Sequence, residues 1–356
     1  MELKRVALLS FFSAALMAVL AGSGFAQQTP DPSPSITSPT QNPTDPAPAQ
    51  LESPDTTPKQ DKPKPLGAPV TEPINPTRFG KGAEDEAFGA YQRGLYKTAY
   101  NLAMPRAEAG DATAQVLVAD ILARGLGVPA SLAESAKWYA KAAEQGQPEA
   151  QFRYAGILLE GKYATKDPVK AKELMKAAAN AGNAAAQFNL GQILMQEHPG
   201  ETGLDNAYPW FLQAAEKGLA DGEYAVSQIL ANGTVKIQRD EPKARQYLIK
   251  AAIKGYDTAQ MDLGTWLVEG RGGKRDYKSG FGWMLRAAVG GNVAAQARLA
   301  KLYRDGLGVE GDSIKAAAWY IVARRAGLND PDLNSFMDGL DDDQMKAAIT
   351  EANKLR

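Results

Sequence analysis

The chain has 356 residues, 40 Lys and Arg against 41 Asp and Glu, and a formal net charge of −1. That balance argues against a nucleic-acid partner gripped by a basic surface. With no cysteine and one histidine, His198, the chain lacks the parts of a disulfide framework, a cysteine–zinc site or a serine–histidine catalytic site.

Residues 1–26 open with Lys4 and Arg5, run through an apolar stretch from Val6 to Leu20 and close on Gly24-Phe25-Ala26. This pattern predicts a secretory signal. The apolar run is shorter than the ~20 residues that span a bilayer, so the expectation is export with cleavage and no stable membrane insertion afterwards; an uncleaved anchor is the alternative. Residues 27–77 hold 14 of the 22 prolines and almost no large apolar side chains. Such a segment buries too little surface to offset its ordering entropy and is expected to be an extended or disordered linker, a proline-motif ligand being the alternative.

Residues 78–110 predict an atypical first helix pair, its apolar face built from Ala87, Phe88, Tyr91, Leu95, Ala99, Tyr100 and Leu102. Pro105 stands where a second helix should run and is expected to kink or end it.

From 111 to 327 the chain repeats. Glycines recur at 110, 146, 182, 218, 255, 291 and 327, at successive spacings of 36, 36, 36, 37, 36 and 36 residues, and periods in this range signal a solenoid or a propeller. Eight residues before each glycine after the first stand Trp138, Leu174, Trp210, Tyr247, Trp283 and Trp319, read as a recurring large core residue. Eleven before stand Ser135, Ala171, Ala207, Ala244, Gly280 and Ala316, small enough for close helix approach. Ser131, Asp167, Asp205, Asp240, Asp276 and Asp312 precede these segments as N-caps, and the glycine suits the left-handed residue after a helix end. A second helix per unit follows from the large–small pairs Val118-Ala119, Tyr154-Ala155, Leu190-Gly191, Val226-Ser227, Leu263-Gly264 and Leu299-Ala300. Two helices per period, with no alternating β-branched runs, predict an all-α superhelical solenoid and not a propeller.

Residues 328–356 read as a cap, with a turn opened by Asp330-Pro331 and a last amphipathic helix opened by Asp341-Asp342-Asp343.

Three motifs invite chemistry, and each has a plainer explanation. His198 lies in Glu197-His198-Pro199-Gly200 and reads as a solvated loop residue. Asp330, Asp332, Asn334, Ser335, Asp338 and Asp341 approximate a calcium loop, but Ser335 replaces its glycine and Asp341 its bidentate glutamate, so helix capping accounts for them better. Gly270-Arg271-Gly272-Gly273-Lys274-Arg275 lacks the first glycine and the Ser or Thr of a phosphate loop and reads as a flexible basic turn. No catalytic residue, cofactor or metal site is predicted.

Arg124-Gly125-Leu126-Gly127-Val128 followed by Ala136-Lys137-Trp138-Tyr139, Ala142-Ala143 and Gly146, and again Asp305-Gly306-Leu307-Gly308-Val309, Asp312, Lys315-Ala316, Trp319-Tyr320 and Gly327, closely resemble the Sel-like (SEL-1-like) repeat, a relative of the tetratricopeptide repeat. The loops Glu160 to Lys166, Gln196 to Leu204, Ala231 to Arg239 and Glu269 to Arg275 depart from its paired-glycine pattern. The resemblance implies a right-handed α-α superhelix with the first helix of each unit on the concave side. It also implies a periplasmic or secreted bacterial scaffold for proteins or peptides, a periplasmic domain of a membrane protein among them. The competing reading is a cell-wall-related small-ligand binder or hydrolase akin to β-lactam-binding members, which are rich in cysteine pairs.

On the first helices, six and thirteen residues past each glycine, lie Phe152, Leu159, Phe188, Met195, Tyr224 and Met261, with Gln192, Gln228 and Thr265 ten past. These nine are the candidate partner-binding residues of the concave face, and the polar three are expected to face solvent. Packing between repeats is the competing reading for the aromatic column.

Overall fold

The computed structural model describes residues 85–355. The signal and linker readings, at 1–26 and 27–77, lie outside the described residues. Among the described residues every regular element is a helix. An opening pair, α1 (Glu86–Gln92) and α2 (Tyr96–Glu108), leads into six helix pairs. These are α3 (Ala112–Arg124) with α4 (Leu132–Glu144), α5 (Pro148–Glu160) with α6 (Pro168–Asn180), and α7 (Ala184–Glu197) with α8 (Glu201–Glu216). Then follow α9 (Ala220–Asn232) with α10 (Glu241–Ile253), α11 (Asp257–Glu269) with α12 (Tyr277–Val289), and α13 (Val293–Asp305) with α14 (Ser313–Arg325). Two closing helices, α15 (Pro331–Asp338) and α16 (Asp342–Lys354), complete the described chain. Each helix of the array packs mainly on the one before and the one after it, as a helical solenoid requires, and α16 turns back onto α14.

Helix boundaries follow local chemistry. The second helix of each unit ends in the same two-bond lock. In the first unit, Gly146 N–H donates to Ala143 O at 3.0 Å and Gln147 N–H to Ala142 O at 3.1 Å, which satisfies two carbonyls that a helix end would otherwise orphan. The lock needs φ > 0 at its fifth residue, and Gly146 has φ 81°, which is why the period is written in glycine. At the other end Ser131, Asp167, Asp240, Asp276 and Asp312 accept backbone N–H groups as N-caps.

Asp205 departs from that pattern. Gly200 caps α8, which begins at Glu201, four residues before the predicted cap, so the loop expected at 196–204 shrinks to 198–200. Gly203 permits this, because a Cβ there would sit 2.1 Å from His198 O. Asp205, now inside the helix, accepts a hydrogen bond from the Thr234 hydroxyl instead. Pro105 does not end α2 at once; the helix runs three residues further, to Glu108. Pro105 and Asn101, whose carbonyl loses its partner, both lie on the exposed side, where water can compensate.

The core column also shifts by one residue. Of the residues eight before the glycine, only Trp138 and Trp319 are buried, whereas Leu174, Trp210, Tyr247 and Trp283 are half-buried. The residues seven before, Tyr139, Met175, Phe211, Leu248, Met284 and Tyr320, are at most 4% exposed. Adjacent positions differ by 100° around a helix, so a bulky residue at the edge of the apolar stripe mimics one at its centre. Several edge rings are instead covered by a cation one turn on: Lys141 over Trp138, Lys250 over Tyr247 and Arg286 over Trp283, at 4.2, 4.9 and 5.3 Å.

Candidate functional site: the first-helix face and the repeat joints

The face carried by α3, α5, α7, α9, α11 and α13 is stitched sideways by polar contacts between successive units. Tyr224 Oη donates to Asp262 Oδ2 at 3.0 Å, Gln228 Nε2 to the same oxygen at 3.3 Å, and Arg298 Nη1 to Thr265 Oγ1 at 2.6 Å. Asn183 Nδ2 reaches Glu149 Oε2 at 2.8 Å further toward the N-terminus. Burial holds the Asp262 carboxyl above its usual range, although the Tyr224 hydroxyl, the Arg298 charge and Gln228 all act to lower it. The Tyr224 hydroxyl is raised in turn, by burial first and by Asp262 second.

Seven of the nine predicted residues can meet a partner only in part. Phe152 and Leu159 are half-buried against one core cluster, and Phe188, Met195 and Tyr224 against the next. Phe188 packs on the fully buried Phe211, with ring centroids 5.3 Å apart. Gln228 is half-buried and bonded to Asp262. Thr265 is half-buried, its hydroxyl donating to Met261 O at 3.1 Å while it accepts from Arg298. Two others are interior: Gln192 is 6% exposed and Met261 8%. The expectation that Gln192 faces solvent is therefore corrected, because α7 turns its position ten past the glycine inward beside Gly191.

A second periodic feature was missed in the sequence. Five residues past each glycine the chain reads Gln115, Gln151, Gln187, Glu223, Gln260 and Gln296. In four units this amide donates to the preceding unit's last helical turn: Gln115 to Ala107 O at 3.0 Å, Gln187 to Ala179 O and Gln260 to Ala252 O at 3.1 Å, and Gln296 to Ala288 O at 3.2 Å. The signal was the fixed offset itself, since a buried amide repeated at one place in a period must be satisfied there. Glu223 cannot donate. Its Oε1 instead accepts from Lys254 Nζ at 2.5 Å, and Lys254 also donates to Gly218 O at 2.7 Å, so the lysine makes the link to the preceding unit.

The carboxylates that approximate a calcium loop are occupied otherwise. Asp330 caps α15 and pairs with Lys301 at 2.8 Å; Asp332 pairs with Arg304 at 2.9 Å and with Lys301 at 3.2 Å. Both carboxyls are held below their usual range, Asp330 chiefly by Lys301 and Asp332 chiefly by Arg304.

The Sel1 repeat model matches six consecutive segments, 112–147, 148–183, 184–219, 220–256, 257–292 and 293–328. These are the six helix pairs, and they cover more than half of the chain. It belongs to the Sel1 repeat family. Among curated relatives, the Escherichia coli K12 Sel1-repeat-containing protein YjcO is 31% identical over 121 residues, which is 33% of this chain and 52% of YjcO. The Saccharomyces cerevisiae chitin synthase regulator SKT5 is 30% identical over 112 residues, 31% of this chain and 16% of that protein. The match thus spans about half of one relative and a minor part of the other. Among solved structures, a Sel1 repeat protein from Oxalobacter formigenes superposes with a TM-score of 0.58 at 27% identity, covering 68% of this chain and 97% of its own. The protective antigen c5321 of uropathogenic Escherichia coli, described as displaying an SLR fold, gives 0.51 at 30% identity, covering 73% of this chain and 64% of its own. Sel1 repeats are in general protein–protein interaction modules, and no helix among the described residues is long and apolar enough to cross a membrane.

Proposed function

We propose that this Sel1 repeat protein is an exported, non-enzymatic adaptor of the bacterial envelope. Its first-helix face holds a peptide segment of another protein, such as the periplasmic part of a membrane protein. The signal-like pattern of residues 1–26 supports the location. One observation carries the binding reading. Phe152, Phe188, Met195 and Tyr224 present half-buried apolar edges in successive units, beside amides such as Asn189 and Gln228. An amphipathic or extended segment is recognised by apolar anchors at regular spacing with polar groups between them. The lateral bonds Tyr224–Asp262 and Arg298–Thr265 support the same reading, because they fix the face before a partner arrives and so reduce the ordering cost of binding.

The test is site-specific photo-crosslinking in cells. A photoreactive residue at Asn189 or Gln228 should capture the same envelope protein, while one at Lys176, exposed on a second helix, should not. Met195→Lys should abolish that capture with the helical circular dichroism spectrum unchanged. Equal capture from Lys176, or capture indifferent to Met195→Lys, would falsify the proposal.

A further inference from the structure

The basic turn at 270–275 closes α11 with the same left-handed glycine pair as 125–127 and 306–308, Gly270 at φ 76° and Gly272 at φ 68°, and so keeps the repeat's paired-glycine turn, correcting the departure expected there from the sequence. Gly272, at φ 68°, lets it lie directly on α10, since a Cβ there would be 2.5 Å from Glu241 O. The turn is tied to the fourth unit on both sides. Arg245 Nη1 donates to Lys274 O at 3.1 Å and to Arg271 O at 3.4 Å, and Arg271 Nη2 donates to Ala231 O at 3.2 Å. The loops 233–240 and 270–276 therefore form one edge. Residues 236–245 and 269–278 carry eight Lys and Arg against four Asp and Glu, in a chain whose net charge is −1.

Several of the charges are spent internally. Glu241 pairs with Arg239 and Arg271, and Asp240 and Asp276 cap helices. Lys236, Lys243, Lys274 and Lys278 are exposed and, like Arg275, which donates to Tyr277 Oη and Glu269 O, make no ion pair among the described residues. At the apex of the first loop, a turn closed by Thr234 N–H to Ile237 O at 2.8 Å, Val235 is 83% exposed. Tyr277 is 38% exposed on the second. The flanking loops carry acidic residues, Glu197 and Glu201 on one side and Asp305, Glu310 and Asp312 on the other, of which Glu197, Asp305 and Asp312 pair with Lys172, Arg304 and Lys315.

We propose that this edge docks on an anionic lipid surface, with the unpaired lysines meeting lipid phosphates and Val235 entering the apolar boundary. A soluble polyanion would satisfy the lysines but leave Val235 in water. An exposed apolar apex on the same edge as unpaired cations fits the interface between headgroup and acyl chain. The first-helix face is a different surface, so docking and peptide capture stand or fall separately.

The test is flotation of the full chain with phosphatidylglycerol-containing vesicles against pure phosphatidylcholine vesicles. Binding should favour the anionic vesicles and fall as salt is added. Each basic residue near such a surface contributes about fivefold in affinity, so Lys236→Glu/Lys243→Glu/Lys274→Glu/Lys278→Glu should lower it by at least about a hundredfold. The same charge change at Lys97, Lys137, Lys176 and Lys346, all exposed elsewhere, should cost far less. Val235→Asp should weaken binding while Val169→Asp, at a position 72% exposed on α6, should not; this pair carries the test if the quadruple variant fails to fold. Equal losses from the two quadruple variants, no preference for anionic vesicles, or a Val235→Asp protein that binds like the wild type would each overturn the proposal. So would tighter binding to polyglutamate or an oligonucleotide than to the vesicles.

Discussion

Lys254 Nζ stands 2.5 Å from Glu223 Oε1, at the one joint of the array where the column's amide gives way to a carboxylate. The Glu223 side chain is 3% exposed and that of Lys254 39%, so the pair is a buried acceptor reached by a half-wet donor. Lys254→Met should strand the carboxylate. Removing one partner of a fully buried pair costs about 3–5 kcal/mol, and water reaching this edge reduces that to roughly 2 kcal/mol. Glu223→Gln should stay within about 1 kcal/mol, because glutamine donates to the preceding helix end at four other joints. Chemical denaturation of both single variants and the double variant checks this. The double variant should be more stable than Lys254→Met alone, and additive losses would refute the coupling.

Phe211 is fully buried, whereas its neighbour Trp210 is only half-buried. Phe211→Ala should cost about 3–5 kcal/mol as a large-to-small core change. Trp210→Ala should cost about half as much, despite the larger side chain removed. Thermal melts that rank the two in the opposite order would return Trp210 to the core.

Two helix glycines should respond to alanine with opposite signs. A Cβ at Gly191 would lie 2.5 Å from the Phe211 ring, while one at Gly156 meets nothing within 4 Å. Gly191→Ala should destabilise by about 1–3 kcal/mol through overpacking. Gly156→Ala should stabilise by about 0.5–1 kcal/mol through its lower backbone entropy in the unfolded chain. Denaturant midpoints decide both.

The two ends of the pH scale should act on different residues. Asp262 has a raised folded-state pKa, so the folded form holds its proton more tightly than the unfolded chain, and this group's contribution to stability falls as pH rises through its titration. Asp262→Asn should therefore gain stability over the wild type at neutral pH, with the gap closing as pH drops below the folded pKa. Asp330 and Asp332 have lowered values. Their contribution is complete above the ordinary carboxylate range and is lost as pH falls through their folded values, which should loosen α15 from Lys301 and Arg304. Denaturation at several pH values, wild type against Asp262→Asn and Asp332→Asn, separates the two effects.

The period, the cap residues and the closing glycines were legible in the sequence because each rests on backbone chemistry that recurs at a fixed place. What failed was rotational register. Trp210 and Phe211 are both bulky and apolar, and composition does not say which of two neighbours points inward until the helices are packed. The same ambiguity hid the interior position of Gln192, whose polarity suggested solvent. Asp205 misled differently: its identity fits a cap, but Gly203 allowed an extra helical turn ahead of it. The basic edge was visible only as a glycine-rich run, since its partner loop lies about 36 residues away, one unit back along the chain.

At four joints the amide column ties a unit to its predecessor through a bond that names no residue type on the receiving side, only a backbone carbonyl. Whole units can therefore be duplicated or excised in frame at most joints without chemical mismatch. At Glu223 the link runs through a lysine at the far end of the same unit, and a recombination that separates Glu223 from Lys254 leaves a buried charge behind. The array can change length freely on either side of this point, but the unit spanning 220–256 has to be inherited whole.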